Sequence, residues 1–167
     1  NVQLALNRHR DALADYDRAL QCAPEHGNAL FNRARVLLLL DRPAEALDCY
    51  NRALRKKGED AELLVNRANA WLALKRPENA LADNDRALQF QPGRLNAINN
   101  RGIALFELEQ HEAALANYDK AISLDGANAR AHNNRGLALS ALGRHEAAIA
   151  SYDRAIQIDA AFLDAYN

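Results

Sequence analysis

The sequence predicts an all-α chain made of stacked repeats, and two observations carry that prediction. Ala and Leu dominate a composition that is 49% hydrophobic, while Val and Ile are few and Thr is absent, so the residues that furnish sheets are missing. The chain also repeats itself every 34 residues: "NNRGIAL" at Asn99 returns as "NNRGLAL" at Asn133, and "EALDCYNRAL" is echoed by "NALADNDRAL", "AALANYDKAI" and "AAIASYDRAI". Self-similarity at such a period marks units that cannot bury an apolar face alone and must stack on their neighbours.

Taken in order, residues 1–26 read as the end of one helix followed by a second, residues 27–60, 61–94, 95–128 and 129–162 as four full repeats, and residues 163–167 as the opening of another. Position 8 of each full repeat is small (Ala34, Ala68, Gly102, Gly136), and so is position 20 (Ala12, Ala46, Ala80, Ala114, Ala148). Small residues at these two places let a pair of helices approach closely. Position 24 is aromatic in Tyr16, Tyr50, Tyr118 and Tyr152, with Asn84 as the departure, and position 27 is Ala19, Ala53, Ala87, Ala121 and Ala155. The ring fills the wedge between the two helices. Pro24, Gly58, Pro92 and Gly126 stand at position 32, where they stop the second helix, and Pro43 and Pro77 sit at helix starts, where a missing N–H costs nothing.

These residues resemble the tetratricopeptide repeat, a 34-residue helix-turn-helix unit, across the whole chain. The resemblance implies a right-handed α-solenoid of about ten helices forming one continuous domain. Both ends stop within a repeat, so the chain is expected to be a piece of a longer protein. The bacterial "NNRG" and "YDRAL" pattern is also similar to the repeat arm of O-linked GlcNAc transferase-like proteins.

In the first helix of each repeat, positions 4, 7, 8 and 11 form the stripe expected to be buried, and positions 2, 5, 6, 9, 12 and 13 lie opposite. The family resemblance makes that second side the lining of a concave groove. Position 6 is Asn32, Asn66, Asn100 and Asn134, one amide per repeat. Such a row can donate to and accept from the backbone of an extended peptide, or it can brace one repeat against the next. The same side carries Phe31, Arg35, Leu38, Val65, Asn69, Leu72, Asn99, Ile103, Phe106, Arg130, Asn133 and Leu137, which complete the candidate peptide groove. Apolar side chains in that number on an open face mark a binding surface.

Position 7 is Arg33, Arg67, Arg101 and Arg135, where the family usually places Leu. Position 25 offers Asp17, Asp85, Asp119 and Asp153, with Asn51 as the exception. A guanidinium at a helix seam calls for a fork-shaped acceptor, so these residues predict Arg–Asp links between helices, the other reading being Arg reaching a ligand.

No catalytic constellation, metal motif or cofactor signature is legible. His9, His111 and His145 share position 17 and are read as turn residues; the second His that a zinc-protease helix needs four residues on is replaced by Leu13, Leu115 and Ile149. The formal net charge of -1, with acidic and basic residues interspersed, argues against nucleic acid. Apolar runs are too short for membrane insertion. Cys22 and Cys49 are read as free thiols in a reducing, cytoplasmic setting. The expected function is a protein-interaction scaffold holding a peptide or protein segment in the groove. Its rivals are a substrate-recruiting arm of a larger glycosyltransferase and a scaffold that self-assembles into homo-oligomers through open repeat ends.

Overall fold

The computed structural model describes residues 2–160, with side chains from Leu6 onward. Among the described residues the chain is all-α, with nine helices: α1 Val2–Cys22, α2 Gly27–Leu39, α3 Pro43–Lys57, α4 Ala61–Ala73, α5 Pro77–Phe90, α6 Leu95–Glu107, α7 His111–Leu124, α8 Ala129–Ala141 and α9 His145–Ile158. The segment 163–167, expected to open a further repeat, lies outside them. Backbone proximity divides the chain into two compact units, Asn1–Arg76 and Pro77–Asn167, where the sequence reading takes one continuous domain. In the first unit α2 packs between α1 and α3, and α4 lies on α3 and touches α2; in the second, consecutive helices pack from α5 to α9 and α6 touches α8.

The repeats turn from first (A) to second (B) helix through one device. In the first unit Asp41 adopts a left-handed φ of 54° and the Arg42 N–H donates to the Leu37 carbonyl at 2.9 Å. Glu109 with Gln110, and Gly143 with Arg144, repeat it in the second unit. This closes the last helical carbonyls in a Schellman motif, even though a non-glycine residue bears the left-handed strain at Asp41 and Glu109.

The first repeat departs from this. Residues 1–26 are expected to hold the end of one helix and then a second, with His9 at the turn between them, yet α1 runs from Val2 to Cys22 as one helix, so that His9 lies within a helix and not at a turn. The physical reason is balance: the turn interrupts helical hydrogen bonds, which is repaid when the A helix packs back on B. His111 and His145 do open helices, as expected.

The close approach of A to B is set by small-against-large pairs. Ala46, Ala53, Ala114 and Ala121 are wholly inaccessible, and Tyr50 and Tyr118 are buried among them. A Cβ built on Gly102 would lie 2.5 Å from the Tyr118 ring, and one on Gly136 would lie 2.4 Å from Tyr152. Each glycine is therefore a seat for a tyrosine. The first unit's core gathers Leu30, Leu37, Leu47, Tyr50 and Leu63, with Trp71 packed on its edge.

The two glycine seats should respond differently to the same change. Alanine gains about 1 kcal/mol of helix propensity at either site, but Tyr118 is buried and cannot swing aside, whereas Tyr152 is half-exposed. Gly102→Ala should destabilise by roughly 1–3 kcal/mol through overpacking, and Gly136→Ala should stay within about 1 kcal/mol of the parent. Denaturant midpoints will show this; equal losses would contradict it.

Candidate functional site

The A helices present a narrower face than the sequence suggests. Positions 9 and 13 fall about 20° to either side of position 2 on a helical wheel, with position 6 some 40° from position 2 beyond position 13. In the first unit this places Asn28, Arg35 and Leu39 of α2, and Glu62, Asn69 and Ala73 of α4, on the open side. In the second it places Asn96 of α6, with Arg130, Leu137 and Ala141 of α8. Leu39 is 62% exposed and Leu137 42%, the open apolar residues of this stripe. Leu38, Leu72, Ile103 and Phe106 are half-buried at its margin.

Position 5 is a correction. Phe31, Val65 and Asn99, expected on the groove, are buried, while Asn133 alone is half-exposed there. This position lies about 60° from position 8 on the wheel, at the border of the packed stripe. In the first unit Phe31 joins the core and meets Tyr50 edge-on at 6.0 Å.

The four ladder amides differ in availability. Asn32 is half-buried and its side-chain amide makes no hydrogen bond among the described residues. Asn66 is half-buried as well, but its Nδ2 donates to the Glu62 carbonyl of its own helix at 2.8 Å. Asn100 and Asn134 are 4% and 6% exposed. The Nδ2 of Asn134 and the Oδ1 of Asn99 are buried without a partner among the described residues.

The position-7 arginines hold helices together. Arg33 Nε donates to Asp17 of α1 at 2.7 Å and its NH1 to Cys49 Sγ of α3 at 3.0 Å. Arg101 donates likewise to Asp85 of α5 and Asn117 of α7, and Arg135 to Asp119 of α7 and Ser151 of α9. Where Asn51 replaces the aspartate, Arg67 NH1 donates to its Oδ1 at 2.9 Å. Burial disfavours the charge on Arg33, but the bonds to Asp17 and Cys49 together outweigh it and its pKa is raised. Burial likewise pushes the Tyr50 and Tyr118 hydroxyls well above the usual phenol range.

One cluster went unread in the sequence. Lys57, at the end of α3, lays its stem across Gly27 and brings Nζ to 5.3 Å from the centre of the Phe31 ring, with Arg35 Cζ at 5.9 Å from the same ring. A signal existed: position 1 is Gly27 here and Ala61, Leu95 and Ala129 elsewhere. Among the described residues no three His, Cys, Asp or Glu side chains assemble as a metal site, and no helix is long and apolar enough to cross a membrane. Cys22 is exposed and Cys49 buried, both free.

Tetratricopeptide repeat models match residues 1–60 and 40–94, and 129–162, and a TPR repeat model matches 102–143. The chain belongs to the tetratricopeptide repeat family. Among solved structures, MamA 41-end from Desulfovibrio magneticus RS-1 is similar with a TM-score of 0.82 over 95% of this chain and 91% of that one, at 18% identity, a likeness of fold. YrrB, a TPR protein with an unusual peptide-binding site, is 26% identical over 95% of this chain and 82% of its own, with a TM-score of 0.74. The first TPR of Spaghetti (RPAP3) bound to the HSP90 peptide SRMEEVD is 26% identical over 70% and 93%, with a TM-score of 0.67. No curated protein sequence matches the chain.

The arginine seam yields an asymmetry. Asp85→Ala leaves the Arg101 guanidinium, half-buried, with Asn117 alone, whereas Arg101→Leu restores the apolar family residue and leaves a half-exposed Asp85 that water can serve. Solvent screening keeps both effects small. Asp85→Ala should cost roughly 0.5–1.5 kcal/mol and Arg101→Leu less. Urea midpoints decide between this and equal losses.

Proposed function

We propose that the chain is a protein-interaction module whose A-helix stripes hold a peptide segment of another protein. The observation that carries the reading is the open stripe itself, which joins the unbonded side-chain amide of Asn32 to the exposed side chain of Leu39 in the first unit and, in the second, presents the exposed Leu137. An amide without an internal partner can pair with a peptide N–H or C=O, and the apolar neighbours supply the hydrophobic contact that such pairing needs. Membership of the repeat family supports the reading, as do YrrB, with its peptide-binding site, and the peptide-bound first TPR of RPAP3.

Panning a random peptide library on the intact chain and titrating a selected peptide by calorimetry tests it. Asn32→Ala should weaken binding roughly 2- to 12-fold, the net worth of one neutral hydrogen bond, with an unchanged melting temperature. Asn134→Ala should change stability more than affinity, because that amide is buried. A fall in stability at Asn32 with affinity intact would identify that residue as a brace between repeats.

A further inference from the structure

We propose that the outer face of the second unit's B helices is a further docking surface, separate from the A-helix stripes, and that it takes an acidic amphipathic helix of another protein. On α7 the ridge of residues four apart runs Ala116, Lys120, Leu124, and α9 repeats its order as Ala150, Arg154, Ile158. The same ridge of α5 ends in Phe90. Phe90 is 54% exposed and Leu124 51%, the alanines and cations named are exposed, and Ile158 is half-buried. Side chains four apart form the raised rows by which one helix packs on another, and here they face solvent.

The first unit neutralises the corresponding cations itself. Arg18 pairs with Asp15, Arg52 with Glu25 at 3.1 Å and Asp48 at 3.9 Å, and Lys56 with Glu25 at 3.9 Å. Around α7 and α9 the register places of these acids hold neutral residues: Asn117 and Ser151 for Asp15, Ala116 and Ala150 for Asp48, and Ala127 for Glu25. Among the described residues Lys120 and Arg154 form no ion pair, and Arg154 donates only to the neutral Gln157. The nearby acids point elsewhere. Asp119 is engaged by Arg135, Asp125 accepts from the Ala127 N–H, Asp153 is turned about 100° from Arg154, and Glu112 and Glu146 lie about two turns before the cations. Position 30 changes in step, from Cys22 and Lys56 in the first unit to Phe90, Leu124 and Ile158 in the second. Cations without acids, set beside exposed apolar side chains, fit a partner that brings both carboxylates and an apolar surface.

The spacing of the rows selects a helix. The cations and the apolar side chains stand four residues apart, about 6 Å along a B helix, and one incoming helix is roughly 10–12 Å across. Laid over the B helices, it covers both rows at once, its apolar stripe on Phe90 and Leu124 and its acidic flank on Lys120 and Arg154. Ala116 and Ala150 leave room for its backbone to come close. An extended strand turns alternate side chains to opposite faces and reaches one row only. Anionic membranes are held by clusters of about four to eight cations, more than this face presents, and in the second unit acidic residues outnumber basic ones.

Three fluorescein-labelled pools of lactam-bridged helical peptides test this on the full chain by polarisation. Each pool carries Leu, Ile or Phe at i, i+4, i+7 and i+11, and one flank is Glu in the first pool, Gln in the second and Lys in the third. The Glu pool should bind at least about 5-fold more tightly than the Gln pool at 50 mM salt, and the difference should shrink at 0.5 M. The Lys120→Glu, Arg154→Glu double variant should make the Lys pool the tighter one, and Phe90→Ser with Leu124→Ser should weaken all three pools, both at an unchanged melting temperature. Arg55→Gln, an exposed cation of the first unit, should leave the preference intact. Equal binding of the Glu and Gln pools would overturn the proposal, and so would a Glu preference that survives the charge reversal, since the peptides would then sit elsewhere. Failure of every pool to bind would overturn it too; sedimentation with phosphatidylserine vesicles, or self-association in light scattering, lost in the same variants would then identify a membrane or a second copy as the occupant.

Discussion

A guanidinium shared between two B helices is the constraint on which the packing of each A helix depends. At Arg33, Arg101 and Arg135 the Nε atom meets an aspartate of the preceding B helix and NH1 meets the B helix of the same repeat. Leucine in that slot would seal the seam by area alone and tolerate sliding. The planar fork of arginine accepts one geometry, so it fixes how far along and at what rotation the three helices lie. The partner on the same repeat varies as Cys49, Asn117 and Ser151, three different acceptors of similar reach, while the carboxylate side is kept at Asp17, Asp85 and Asp119. The charge is balanced by a carboxylate on one side and met by a neutral, buried acceptor on the other. Such a seam specifies register more than it adds stability.

Around that seam the helices close through tyrosines seated on positions without side chains. Gly102 and Tyr118 meet in one repeat and Gly136 and Tyr152 in the next, and alanines at positions 20 and 27 keep the remaining distance short. Packing this tight pins the backbone of the A helix, and only then do its outward positions become a fixed row of groups at regular spacing. The face available to a partner is thus a by-product of how the inner side is packed.

Much of this was legible because the interval in the sequence is also the interval in space: the small residues, the aromatic wedge and the Arg–Asp seam all recur every 34 residues, so each match supports the others. What was not legible lay at borders or outside the periodic pattern. Leu6-Asn7-Arg8 resembles Leu40-Asp41-Arg42 closely, yet one is helix and the other turn, because the outcome rests on what packs against it and not on the three residues. Phe31, Val65 and Asn99 sit where the wheel gives no decisive side, at the border of the packed stripe, and all three are buried. The Lys57 contact with Phe31 joins a B-helix end to an A-helix face, a pairing that a helix-by-helix reading of the groove passes over.

The arginine contacts share one further property. Each acceptor lies 16 residues from its arginine, before it on one side and after it on the other. Closing such a short loop costs little chain entropy, and the cost is the same at every repeat because it grows only with the logarithm of loop length. The tertiary network is therefore wholly sequence-local, of low contact order, and no seam has to wait for a distant segment to arrive. Structure can nucleate at any repeat and spread to its neighbours, which gives this chain the kinetics of a short linear lattice in place of the single nucleus of a globular core.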